Sequence, residues 1–261
     1  MTRVALVTGA ARGIGAATVR ALVADGWSVL ALDLAADDPA LPYPLGRRAD
    51  LDALVGELGP DRVHAVVADV RDQAGLDAAV AEAESRYGGL DAAIAAAGAM
   101  AGGVPAWEVP VGQEQAVLAV NLGGVLNLAR AAIPALLRRP EPRAGRFLAV
   151  ASTAATRGLP MLAAYCAAKA GVAGLIRALG VELGGTGVTA NAVSPGSTDT
   201  AILAESARLY GLPSAQAFAA QQPLGRLLEP AEVAAVLAFL AGPASGAMTG
   251  AVVPVDGGLA L

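Results

Sequence analysis

The chain has 261 residues, 55% apolar but only 3% aromatic, so a large core must be built from Ala, Val and Leu rather than from rings. That length suits one large α/β domain. A net charge of −5 with no long basic run argues against a nucleic-acid partner. The single Cys166 excludes an internal disulfide and suits a reducing, cytoplasmic setting.

"RVALVTG" (3–9) reads as a first strand; nothing in "MTRVALVTG" resembles a cleaved leader. The strand runs into "TGAARGIG" and a helix near 13–25. Gly9, Gly13 and Gly15 suit a tight turn that lets a pyrophosphate approach the backbone at a helix N-terminus, where free N–H groups and the dipole favour an anion. A second strand, "SVLALDL" (28–34), closes on Asp33, 20 residues after Gly13. A carboxylate there can accept both hydroxyls of an adenosine ribose and repels a 2′-phosphate, which favours NAD over NADP. Arg12 argues the other way, since it could pair with that phosphate; the alternative is a solvated loop charge.

Residues 35–49 contain prolines at 39, 42 and 44 together with Leu41, Tyr43 and Leu45. The prolines forbid a helix, and the apolar side chains are poor choices for a solvated loop. This segment follows the expected ribose ligand directly, so it is expected to fold over the adenosine half. A third strand, "VHAVVADV" (63–70), brings Asp69 and Val70 to the adenine, unless Asp69 only caps the strand. His64 lacks a metal-ligand cluster around it in the sequence and reads as structural.

A helix near 72–87 leads to the strand "LDAAIAAAG" (90–98), and a longer helix near 112–138 carries Asn121 in "AVNLGG". An amide in an apolar helix is a candidate for burial, whether catalytic or simply satisfied by backbone. The strand "RFLAVAS" (146–152) ends on Ser152, whose hydroxyl could hold a substrate oxygen. In the next helix, near 161–183, Tyr165 and Lys169 are i and i+4 and share a face. Lys169 is the only lysine in the chain. An ammonium beside a phenol favours the phenolate, and its compact three-donor head could also hold a ribose and a water, which arginine's rigid fork would not do as well. A surface Tyr–Lys pair is the ordinary alternative, but it gives no reason for the sole lysine to stand there. Cys166 points elsewhere and reads as packing.

A sixth strand (187–196), an irregular stretch (195–228), a helix near 229–241 and a seventh strand (251–258) complete the chain. The uncharged run Val233–Val255 is long enough to span a bilayer, but "AGPASGAMTG" within it points to helix, loop and strand, so no membrane segment is expected. Alternating strands and helices predict a single doubly wound Rossmann-type domain with a seven-stranded parallel sheet. Leu203, Leu209, Tyr210, Leu212 and Phe218 within 197–222 point to a hydrophobic substrate.

TG-xxx-G-x-G, Asn121, Ser152, Tyr165-xxx-Lys169 and "NAVSPG", in this order and spacing, resemble the short-chain dehydrogenase/reductase family over almost the whole chain. The resemblance implies an Asn121–Ser152–Tyr165–Lys169 tetrad. Tyr165 would be the general acid/base, Lys169 the group that lowers its pKa and binds the nicotinamide ribose, Ser152 the polariser of the substrate oxygen, and Asn121 the holder of a relay water. It also implies cofactor contacts from Ile14, Gly98, Pro195, Gly196, Thr198 and Thr200, and a homotetramer. Where the family commonly has Asn-Asn-Ala-Gly, this chain has Ala95-Ala96-Ala97-Gly98, which leaves the tie between neighbouring strands in doubt.

The implied activity is NAD-dependent interconversion of a secondary alcohol and a ketone. A 3-oxoacyl-thioester reductase and a non-catalytic NAD sensor are the alternatives. The insertion further resembles that of the mycofactocin-associated branch, in which NAD does not exchange and a peptide-derived carrier takes the electrons.

Overall fold

A computed structural model describes residues 2–261. Seven strands form one parallel sheet: β1 (Val4–Thr8), β2 (Ser28–Asp33), β3 (Val63–Val67), β4 (Ala92–Ala95), β5 (Arg146–Val150), β6 (Thr189–Pro195) and β7 (Val252–Val255), in the order β3-β2-β1-β4-β5-β6-β7. The consecutive apolar residues of these strands have a simple cause, because alternate side chains point to opposite faces and both faces are covered. Leu6, Leu30 and Phe147 join one core, while Val7, Val29 and Leu148 join the other. The first core is closed by α3 (Gln73–Tyr87), α5 (Gly124–Arg138) and α6 (Ala163–Glu182). The second is closed by α1 (Gly13–Ala24), α2 (Arg48–Leu58) and α8 (Pro230–Ala241).

The strand order reverses between β1 and β4, and there the carboxyl ends of the strands diverge into a crevice. The Ala95-Ala96-Ala97-Gly98 segment at that point lacks side-chain amides, but Thr8 Oγ1 accepts from the Ala96 and Ala97 N–H groups at 3.2 and 3.3 Å. The tie between β1 and β4 is thus made by a hydroxyl on the other strand.

Two elements differ from the sequence expectation by addition. Residues 48–58 form α2, and residues 201–209, expected to be irregular, form α7 (Ala201–Leu209) with Thr200 Oγ1 accepting from Leu203 N–H at its N-terminus. A third difference lies within the long helix. It is α4 (Val111–Leu118), then a π turn over Ala119–Gly123, then α5. Asn121 sits in the π turn and its Nδ2 donates to the Val117 carbonyl at 2.8 Å, so the side chain occupies an acceptor that a regular helix would use.

Candidate active site

Every catalytic and cofactor residue named from the sequence lines one cavity of about 640 Å³ at the carboxyl ends of the strands, and of the apolar residues expected at the substrate all but Leu209 line it too. At its centre β1 turns into α1 through Gly9, which has φ +67° and lies so close to β4 that a Cβ would meet Ala97 Cα at 2.6 Å. Gly15 packs the helix onto that turn; a Cβ there would meet the Gly9 oxygen at 2.0 Å. No side chain caps the N-terminus of α1 and no acid stands in its first turn, so its N–H groups remain available to an anion. Gly13, Ile14 and Thr200 flank this end. These features fit a dinucleotide pyrophosphate.

Asp33, at the end of β2, accepts from Ala11 N–H at 3.0 Å and Ala35 N–H at 3.1 Å. Its two oxygens are thereby fixed, and each keeps a lone pair for a ribose hydroxyl. Arg12 lines the cavity, and its Nη2 also donates to the Pro44 carbonyl at 2.9 Å and braces the insertion. Asp69 lies beyond β3 and is held in a fork by Arg71, which also reaches Asp38 of the insertion at 2.6 Å. Val70 is buried beside Gly124.

The insertion crosses the crevice as a strap. Gly46 sits so close to Asp33 that a Cβ would meet Asp33 Oδ1 at 3.2 Å. Asp37 accepts from Leu45 N–H and pairs with Arg47, so the strap folds back on itself. Its other edge reaches beyond the adenosine half. Tyr43 Oη accepts from Met100 N–H at 3.0 Å, and Leu41 joins an apolar cluster containing Met100, Leu162 and Tyr165.

At the opposite end of the cavity the chemistry gathers around α6. Its first turns bury Tyr165 and Lys169 against β5, whose end supplies Ser152. Lys169 Nζ lies 5.6 Å from the centroid of the Tyr165 ring and donates to the Val150 carbonyl at 2.8 Å. That leaves two of its three donors free for a ligand. Ser152 stands beside the Tyr165 phenol, and its Oγ accepts from Ala154 N–H at 3.2 Å.

The expectation that Lys169 lowers the pKa of the phenol is not met within the protein alone. Burial dominates and pushes Tyr165 up to about 12, with the Ser152 hydrogen bond acting against the rise, while desolvation brings Lys169 down to about 8. The ammonium points at a β5 carbonyl rather than at the phenol oxygen.

Asn121 is fully buried, and its Nδ2 also donates to the Ala99 carbonyl at 2.8 Å while Oδ1 accepts from Ala99 N–H at 3.3 Å. It holds the chain just past Gly98, whose missing Cβ would lie 3.2 Å from Asn121 Oδ1. Beyond β6, Pro195, Gly196 and Thr198 form the near wall, and Thr198 Oγ1 donates to the Gly196 carbonyl. This wall is held by a residue the sequence did not single out. The buried Gln222 accepts from Ser197 N–H at 2.9 Å and donates to the Ser197 and Arg226 carbonyls. Asp38 and Arg71 escaped notice for a similar reason: their pairing spans 33 residues and follows no local pattern. Of the residues set aside, His64 pairs with Glu82 of α3 at 2.7 Å, and Cys166 Sγ accepts from Leu159 N–H.

Comparison with known proteins accords with this geometry. The family described as enoyl-(acyl carrier protein) reductase matches residues 9–260. The chain is 34% identical to 2-dehydro-3-deoxy-L-rhamnonate dehydrogenase (NAD(+)) of Sphingomonas sp. (strain SKA58), covering 98% of this chain and 94% of that one. It is 38% identical to cis-4-hydroxycyclohexanecarboxylate dehydrogenase of Sinomonas cyclohexanicum, covering 98% and 96%. The crystal structure of carveol dehydrogenase from Mycobacterium avium in complex with NAD superimposes with a TM-score of 0.90 at 29% identity, covering 98% and 97%. A doubly wound sheet, a glycine cradle at its switch point and a Ser–Tyr–Lys group lining one cavity thus coincide with full-length relatives, and the chain belongs to the short-chain dehydrogenase/reductase family of oxidoreductases.

Proposed function

We propose that the protein interconverts a secondary alcohol and a ketone with NAD as its cofactor, and that the strap keeps the nucleotide from exchanging freely, as in the mycofactocin-associated branch. The observation that carries the reading is the convergence of Ser152 with the buried Tyr165 and Lys169 at one end of a cavity whose other end is cradled by Gly9, Gly15 and Asp33. Gly9, Gly15 and Asp33 would hold NAD, which would supply a hydride acceptor for the alcohol carbon. Tyr165 takes the hydroxyl proton as that bond forms the carbonyl, and returns it in the reverse direction. Ser152 holds the reacting oxygen against the phenol. Lys169 has two free donors that would hold the nicotinamide ribose. Asn121 fixes the segment after Gly98. The preference for NAD rests on Asp33, whose charge opposes a 2′-phosphate.

With the nucleotide retained under the strap, repeated turnover needs an external two-electron acceptor, artificial or peptide-derived. The test is a panel of secondary alcohols assayed with NAD, with NADP and with a redox dye, on wild type and on Tyr165→Phe. Wild type should turn over with the dye, prefer NAD to NADP where free nucleotide works at all, and lose about 10²–10⁴-fold on Tyr165→Phe. Tight nucleotide binding with no turnover of any alcohol would identify a sensor instead.

A further inference from the structure

We infer that the chamber beyond Ser152 and Tyr165 accepts an uncharged, apolar alcohol and rejects one that carries a carboxylate. The inference rests on the secondary-alcohol reading above and adds the substrate class to it. Among the described residues, the charged side chains lining the cavity are Arg12, Asp33, Asp38, Asp69, Arg71 and Lys169. All but one stand at the nucleotide end, where Arg12 is bound to Pro44 and Arg71 is clamped between Asp38 and Asp69. Lys169 is buried at the back of the catalytic group and points at Val150.

The outer chamber has no cation of its own. Its walls are apolar side chains from four places in the fold: Met100 after β4, Leu162 before α6, Leu203 on α7, and the Tyr210–Phe218 pair, whose rings meet edge to face at 6.1 Å. The strap contributes Leu41 to the same wall. The polar groups there are already engaged or neutral. Tyr210 Oη donates to the Pro160 carbonyl at 2.7 Å and Ser206 Oγ to the Ile202 carbonyl at 3.0 Å; Thr153 and Gln221 carry no charge. The cations on neighbouring elements are also occupied. Arg208 forks onto Glu205 and Arg157 donates to the Leu259 carbonyl, and neither lines the cavity.

A carboxylate entering this chamber would lose its water without gaining a cation, with only the neutral donors of Thr153 and Gln221 to replace that hydration. An alkyl group of the same size would gain from leaving water. The discrimination is therefore built into the wall and does not depend on the rate of hydride transfer.

The experiment compares two alcohols that differ only in the distal group, cis-4-methylcyclohexanol and cis-4-hydroxycyclohexanecarboxylate at pH 7.5, on the protein as purified with a redox dye as acceptor. Binding of 4-methylcyclohexanone and 4-oxocyclohexanecarboxylate is followed in parallel as the ligand-induced rise in Tm. The methyl compound should be favoured at least about tenfold in kcat/KM, and its ketone should protect at lower concentration. Equal or better turnover or protection with the carboxylate would overturn the inference while leaving the oxidoreductase reading intact. Protection by the uncharged ketone alone, with no turnover of either alcohol, would support the chamber assignment and count against the reaction.

Discussion

Lys169 has a cost that its function explains. An ammonium with 4% of its surface exposed and one carbonyl partner is poorly solvated, which is why its pKa falls to about 8. From an ordinary value of 10.5, that drop corresponds to on the order of 3 kcal/mol of destabilisation at neutral pH, against which the bond to Val150 returns about 1 kcal/mol. Lys169→Met should therefore abolish turnover yet raise stability at pH 7 by roughly 1–2 kcal/mol, the trade expected of a strained active site. Between pH 8 and 10.5 the unfolded chain holds a proton that the folded chain has released. Wild type should thus gain stability relative to the variant as pH rises through that window. Thermal melts at pH 7 and pH 10 decide it; a variant that is less stable at both, by a constant amount, would contradict the burial argument. At this scale the sequence was informative about identity and poor at direction. A sole lysine four residues after a tyrosine located the pair, but only the fold shows the ammonium turned toward β5. Arg12 teaches the same lesson, since its bond to a carbonyl 32 residues away follows no local pattern.

Among the elements, those with strong periodicity were legible almost to their ends. The helices expected near 13–25, 72–87, 161–183 and 229–241 lie at 13–24, 73–87, 163–182 and 230–241. The helix at 48–58 was hidden by the three prolines before it and by an N-terminus with no Ser or Thr cap, where Asp50 instead reaches back to accept from the Arg47 N–H. The short α7 buries only Glu205, Ser206 and Ala207, too narrow a stripe to read as amphipathic. The strap was visible as an insertion, but its reach to Met100 was not, because that contact spans 57 residues. Its two edges predict a graded behaviour. Tyr43→Phe keeps the ring and removes the acceptor for Met100 N–H, a loss of about 1 kcal/mol, so nucleotide should leave about fivefold faster while the rate per bound nucleotide stays within twofold. Release followed by dilution into excess apo-dehydrogenase of another type measures this. An unchanged release rate would show that the Met100 contact does not hold the strap closed.

On the scale of the whole molecule, two long helical stretches carry more apolar surface than one sheet needs. Val111–Arg138 and Ala163–Glu182 are apolar and long enough to cross a membrane by length and composition, and less than half of their most apolar windows is buried within the protomer. Leu126 and Val181 stand exposed on them. Symmetric association would cover such faces, and we propose a homotetramer; sedimentation at micromolar concentration should give four times the 25.7 kDa chain mass, and a monomer would refute it. A strap tied down through Arg12, Arg71 and Tyr43 roofs the cavity in which Gly9, Gly15 and Asp33 would cradle a nucleotide. The most direct test is to purify the protein with no added cofactor, dialyse it, denature it and assay the supernatant for nucleotide. Near-stoichiometric NAD is the expected result, and an empty protein that turns over freely with added NAD would contradict it.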